Sequence, residues 1–360
     1  MGYESKVWVL VALAAVWIYM GSWCVEGEGD VPCMFVFGDS LSDNGNNNDL
    51  STLAKANYLP YGIDFPSGPT GRFTNGRTSV DFISEFLGFE KMIPPFANTS
   101  GSDILQGVNY ASGASGIRTE TGTHLGANIR LGSQIANHRA IVSEIARKLG
   151  NVEKAQNYLN KCLYYINIGS NDYINNYFLP QHYPTSTKYT PQDYAVALIQ
   201  EYSQHLRALH GLGSRKFALF GLHLLGCIPY EMMNHGEAGS LCVKEENSAA
   251  LVFNDKLKAL VDRFNQEFSD SKFIYINNAI ISSETPNVSG NIVKGAGCCE
   301  TRADGMCAPK KEACIARKLH LFWDSIHPSE SANLVLATFA YKSPIPTYAH
   351  PMDISHLVNL

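Results

Sequence analysis

Charged residues are scarce in this 360-residue chain, at 17%, and neither sign dominates: 28 basic residues stand against 33 acidic, for a formal net charge of −5. A nucleic-acid binder would show a basic excess gathered on one face, and none is present to gather. Nothing in the balance points to an anionic membrane surface either. The chain also lacks a G-x-S-x-G elbow, a Walker-type phosphate loop, a G-x-G-x-x-G fingerprint and an H-E-x-x-H pair, which disfavours ordinary α/β-hydrolases, nucleotide enzymes and zincins. No Pro/Ser-rich linker, repeat or low-complexity tract divides it. What is plentiful is apolar: 45% of the residues, enough for a substantial core and incompatible with wholesale disorder.

One apolar run stands apart. Val7–Met20 reads VWVLVALAAVWIYM and is followed by the small and polar residues Gly21, Ser22, Trp23 and Cys24. It is shorter than the ~20 residues that span a bilayer and suits the core of a signal peptide, giving a leader over about 1–24 and a globular unit over 32–360. No second run is long enough to span, so no stable membrane insertion is expected. Without Cys24, eight cysteines remain, an even number that favours disulfides in a secreted chain. The cluster Cys298, Cys299, Cys307, Cys314 lacks the paired C-x2-C spacing and nearby histidines of a zinc site, so bridges are favoured and no metal is expected. Asn98-Thr-Ser and Asn287-Val-Ser are glycosylation sequons.

Beyond residue 30, short β-rich runs alternate with amphipathic stretches. Cys33–Phe37, Gly107–Ala111, Cys162–Ile168, Lys216–Leu222 and Lys272–Asn277 read as strands. Helical spacing marks 79–87, 135–149, 246–268 and 329–341, and Thr190-Pro191 opens a further helix closed by Gly211. This alternation predicts one α/β domain with a five-stranded parallel sheet between helical layers.

Ligands bind such sheets beyond the carboxyl ends of the strands. Three of the runs lead there directly into polar clusters: Gly38–Asp43, Ala111–Gly116 and Gly169–Asp172. Singly, each is also ordinary turn composition. Their coincidence at successive strand ends is what singles them out. A fourth cluster reads Asp324-Ser-Ile-His327-Pro. A carboxylate three residues before a histidine can hold one imidazole nitrogen and leave the other free to accept a proton. The alternative is that Asp324 caps a turn and His327 merely precedes the proline of a helix start. His320 is the only rival base; His138, His205 and His210 fall in helical stretches as surface or boundary residues.

Phe37-Gly-Asp-Ser-Leu-Ser-Asp-Asn-Gly-Asn-Asn, Gly107-Val-Asn-Tyr-Ala-Ser-Gly113, Gly169-Ser-Asn-Asp172 and Asp324-Ser-Ile-His327-Pro, in this order, resemble the GDSL esterase/lipase family of the SGNH hydrolases. Gly71-Arg-Phe-Thr-Asn-Gly-Arg77, Leu225-Gly-Cys-Ile-Pro229 and Gly297-Cys-Cys299 resemble its plant branch. The resemblance implies a three-layer α/β/α, flavodoxin-like fold and metal-free, cofactor-free hydrolysis of a small-molecule or polymeric ester. It places the catalytic Ser on Ser40, the Asp and His on Asp324 and His327, the oxyanion-hole Asn on Asn171 and its Gly on Gly113, with Gly116 in the same loop. It also implies an extracellular location, the cell wall or apoplast if the source is a plant. The chain departs from the plant pattern at Leu222-His-Leu-Leu-Gly226 and after Ile276. Two rival readings keep the same residues: an acyltransferase working through the same acyl-enzyme, and a non-catalytic wall- or carbohydrate-binding protein. A flavodoxin-like strand order would make the Cys33 and Cys162 strands parallel neighbours ~4.8 Å apart, within reach of a non-catalytic disulfide.

Overall fold

The structure, a computed structural model, describes residues 31–99, 104–288 and 292–360; the expected leader lies outside them. Strands β1 (Met34–Gly38), β2 (Leu163–Asn167), β3 (Lys216–Phe220) and β4 (Lys272–Ile276) pair in parallel in that order. A parallel pair of short strands, β5 (Val293–Gly297) and β6 (His320–Phe322), forms a separate small sheet. A two-residue strand, β7 (Ala349–His350), closes the main sheet antiparallel to β4.

Both faces of the main sheet are buried, which is why its strands are apolar throughout rather than alternating. Successive side chains nevertheless go to opposite sides. Phe35, Phe37, Tyr164, Ile166, Phe217, Leu219, Phe273 and Tyr275 join one core cluster with α2 (Leu131–Leu149), α3 (Val152–Leu159), α4 (Pro191–Gly211) and α5 (Lys244–Glu267). The intervening Met34, Val36, Leu163, Tyr165, Ala218, Phe220, Ile274 and Ile276 join the other, with α1 (Ser79–Phe86), α6 (Asn278–Val288), α7 (Glu330–Tyr341) and α8 (Ile354–Val358). The three-layer expectation holds. Helix starts follow their caps: Thr78 and Asp81 form a capping box, and Thr190 and Ser329 accept from Asp193 N and Ala332 N.

The run Gly107–Ala111 is the main departure. It lies parallel along the free edge of β1, with Val36 N donating to Val108 O (3.0 Å) and Tyr110 N donating to Val36 O (2.8 Å), yet it forms only isolated bridges. On its far side Asn109 meets Pro94-Pro95, whose rings offer no N–H to extend a ladder. Its first residue is turned out of extended backbone at φ +124°. A Cβ on Gly107 would sit 1.9 Å from Met34 O, so only glycine lets the two backbones approach. The fifth strand of the sheet is therefore β7, and it is antiparallel.

The eight cysteines pair as Cys33–Cys162, Cys227–Cys242, Cys298–Cys314 and Cys299–Cys307. Cys33 and Cys162 precede β1 and β2 with Cα atoms 4.7 Å apart, inside the expected window. His138 is a correction to the sequence reading: it is fully buried, ringed by Phe35, Phe37, Tyr110 and Tyr164, with Nδ1 3.1 Å from Tyr110 OH. Its helix α2 faces the sheet at that position, three residues after the buried Ile135 and seven before the buried Ile145, so helical spacing puts the imidazole on the core face. Among the described residues no helix is long and apolar enough to cross a membrane.

Candidate active site

The polar clusters at the strand ends meet above the carboxyl edge of the sheet. β1 ends at Gly38, whose N–H donates to Gln134 Oε1 (3.0 Å) and whose carbonyl accepts from Gln134 Nε2 (2.8 Å). The amide of α2 thus stands in for a strand partner, and the chain turns away to present Asp39, Ser40 and Leu41 to a cleft of about 360 Å³.

Ser40 Oγ lies 2.9 Å from His327 Nε2, and His327 Nδ1 lies 2.8 Å from Asp324 Oδ2. Asp324 is fully buried and His327 nearly so. The two readings of the Asp324–His327 spacing are both true. Asp324 Oδ1 caps its own turn, accepting from Ile326 N (2.7 Å) and His327 N (2.6 Å), while Oδ2 is left to face the imidazole. Trp323 N donates to His327 O (2.8 Å) and closes the same turn, and Ser329 then caps α7. The rival His320 sits on β6 with Nδ1 3.4 Å from Ala296 O, and Ser40 is not among its partners. An acceptor on Nδ1 fixes the proton there and leaves the Nε2 lone pair for the Ser40 hydroxyl.

Sequence reading missed Tyr61, which is fully buried against Asp324. Its hydroxyl donates to Asp324 Oδ2 (2.6 Å) and accepts from Cys307 N (3.0 Å). It comes from the Leu59-Pro60-Tyr61-Gly62 turn, which has no feature of its own to betray a contact 263 residues away.

Asn171 lines the cleft beside Ser40, with its Nδ2 donating one hydrogen to Ser115 O (3.0 Å) and its Oδ1 accepting from Asn175 (2.6 Å). The second Nδ2 hydrogen is left for a ligand. Gly113 does not play the expected part. Its N–H donates to Asp43 Oδ2 (2.9 Å), so it is spent inside the loop. Gly116 is packed behind it against Thr121 and Asp172. The residue that reaches the cleft is Ala114, held at φ +65°, where a side chain beyond glycine is uncommon. Among the described residues the N–H groups of Ser40 and Ala114 make no hydrogen bond.

Two buried aspartates hold these loops. Asp43 accepts from Gly45 N and Asn46 N (each 2.8 Å) as well as Gly113 N. Asp172 accepts from Ile117 N (2.8 Å), Arg118 N (3.0 Å) and Thr121 Oγ1 (2.7 Å). Burial pushes both carboxyls up to about 6, only partly countered by those donors. Asp39, beside Ser40, is pushed up to about 7 by burial, and its Oδ2 is buried without a partner.

A family description, GDSL-like lipase/acylhydrolase, matches residues 34–339. The Arabidopsis thaliana protein GDSL esterase/lipase At4g18970 is 47% identical over 98% of this chain and 99% of its own length. GDSL esterase/lipase At5g45670 of the same plant is 49% identical over 91% of this chain and 92% of its own. The chain belongs to the GDSL lipase/acylhydrolase family. That family consists of carboxylic ester hydrolases. Within a GDSL cleft the departure at Leu222-His223 takes on a location: His223 lines the cleft, and burial together with the neighbouring His327 lowers it to about 4, so it is a neutral imidazole in the wall. The apolar lining comes from Leu41, Phe73, Ile174, Ile228, Met306 and Ile326. Of the sequons, Asn98 is exposed on the one-turn helix Phe96–Asn98, whereas the Asn287 side chain lies outside the described residues.

Proposed function

We propose that the protein is a secreted serine esterase/lipase working through Ser40, His327 and Asp324 by way of an acyl-enzyme. His327 Nε2 takes the Ser40 hydroxyl proton as Oγ attacks the ester carbonyl. Asp324 holds the Nδ1 proton and stabilises the imidazolium. The tetrahedral oxyanion is received by the Ser40 and Ala114 N–H groups and the free Nδ2 hydrogen of Asn171, donors fixed in place before the charge develops. Collapse expels the alcohol, which takes the proton from His327. Water, deprotonated by the same Nε2, then releases the acid and restores Ser40.

The observation that carries this reading is the unbroken relay from Asp324 through His327 to Ser40, opening into a cleft that also receives Asn171. The apolar lining suits the acyl part of the ester. Residues 1–24 act in this reading as the leader that sends the chain, as one hydrolase unit over 32–360, into an oxidising compartment, where its four bridges persist. The test is hydrolysis of a short-chain nitrophenyl ester by Ser40→Ala. Loss of turnover with an unchanged melting temperature is expected, and full activity in that variant would overturn the assignment.

A further inference from the structure

The segment from Gly226 to Asn247 carries a second cluster of ionisable groups that the ester chemistry does not use. Pro229–His235 forms a short helix, and α5 begins at Lys244. Between them Glu231 and Glu246 come together, each with only 2% of its side chain exposed. His235 Nδ1 lies 3.1 Å from Glu231 Oε2 and 2.7 Å from Glu246 Oε1, and one ligand atom from each residue falls within 4.8 Å of the other two. The second Glu246 oxygen, Oε2, is buried with no hydrogen-bond partner.

Two carboxylates withdrawn from water beside one another are costly to leave charged. A cation held between them offsets that cost. The frame around the cluster is fixed in advance. Cys227–Cys242 bridges its two ends, Val243 N donates to Gly226 O (2.7 Å), and Gly226 N donates to Asn247 Oδ1 (2.9 Å). Among the described residues the other grouping of this kind, Cys298, Cys314 and His320, offers no thiolate, because its two sulfurs are bonded to each other.

We propose that Glu231, His235 and Glu246 form a binding site for one divalent cation of borderline hardness, with Zn²⁺ the best match. One imidazole nitrogen and two carboxylate oxygens are a common zinc donor set, and a tetrahedral ion at ~2.0–2.1 Å from each leaves the fourth position to water. The exposed side of His235 supplies the entry path. Each ligand atom binds the ion through a lone pair, and any proton it carries passes to solvent. Glu231 and Tyr230 also line the ester cleft, so the ion would brace one of its walls from behind.

Calorimetric titration of metal-stripped, tag-free protein with Zn²⁺, run near pH 7, tests the site. One ion per chain should bind. His235→Ala and Glu246→Gln should each weaken that binding by roughly tenfold or more. Since Glu246 is buried and its variant can fail to fold, the exposed His235 is the deciding position, with circular dichroism of the metal-free variant confirming that it is folded before titration. No saturable binding at one equivalent, or a His235→Ala protein that binds Zn²⁺ as tightly as the parent, overturns the proposal.

Discussion

Tyr61→Phe removes a single oxygen from beneath the triad and leaves the ring in place. The hydroxyl donates to Asp324 Oδ2 at 2.6 Å, accepts from Cys307 N at 3.0 Å and lies 3.6 Å from Met306 Sδ, in a site with no solvent to replace it. A hydrogen bond to a charged group contributes about 1.5–3 kcal/mol, and the stranded Cys307 N–H adds a desolvation cost of its own. The variant should therefore unfold with roughly 2–4 kcal/mol less stability in urea. Its effect on turnover has a predictable sign as well. The Tyr61 hydroxyl shares the Asp324 Oδ2 charge with His327; without it, that charge acts on the imidazolium alone and favours it. The acid limb of the kcat/KM profile on a short-chain nitrophenyl ester should then move to higher pH, by up to about one unit for each 1.4 kcal/mol transferred to the pair. A variant with unchanged stability and an unmoved acid limb would refute the reasoning that Tyr61 bears on the relay.

Asn171→Ala removes one oxyanion donor and should lower kcat by roughly 10²–10³, with KM little changed, in steady-state assays. The Cys33→Ala/Cys162→Ala double variant opens a loop of 129 residues at the end of the sheet opposite the cleft; it should lose up to about 5 kcal/mol of stability while its kcat is unchanged. Burial lowers His138 to about 3, so the folded state excludes a proton that the unfolded chain accepts below its ordinary value near 6.5. The unfolded state binds more protons in that window, and this residue's contribution to stability falls as the pH drops from about 6.5 towards 3, by about 1.4 kcal/mol per unit. His138→Gln removes that term, and the stability difference between parent and variant in denaturant melts should move in the variant's favour as the pH is lowered.

What could be read from one sequence divides along a physical line. Strands β1 to β4 announce themselves because a sheet buried on both faces demands continuous apolar runs, and the catalytic candidates follow because polar residues cluster where those runs stop. Asp324 and His327 lie within one turn, so their relation is local and visible. Relations between distant segments are not. Gln134 satisfies Gly38 from 96 residues away, and Asp43 takes the Gly113 N–H across 70. Gly113 illustrates the second of these. A glycine-rich loop tells the reader that some backbone N–H can approach an oxyanion, but which one is decided by the carboxylate that occupies its neighbour.

The same separation explains how the site holds its shape. Gln134 ends β1 by imitating a strand, so Ser40 leaves the sheet at a fixed point. Asp172 takes three donors from the 111–121 loop and Asp43 ties Gly113 of the same loop to Gly45 and Asn46, and these buried carboxyls fix its backbone far more tightly than its composition of glycine, serine and alanine could. Ala114 is held in left-handed backbone by these neighbours on both sides, and among the described residues its N–H makes no hydrogen bond. A donor that makes no bond in the resting protein has none to break when an oxyanion forms, and that is the condition under which a backbone amide contributes its full strength to a transition state.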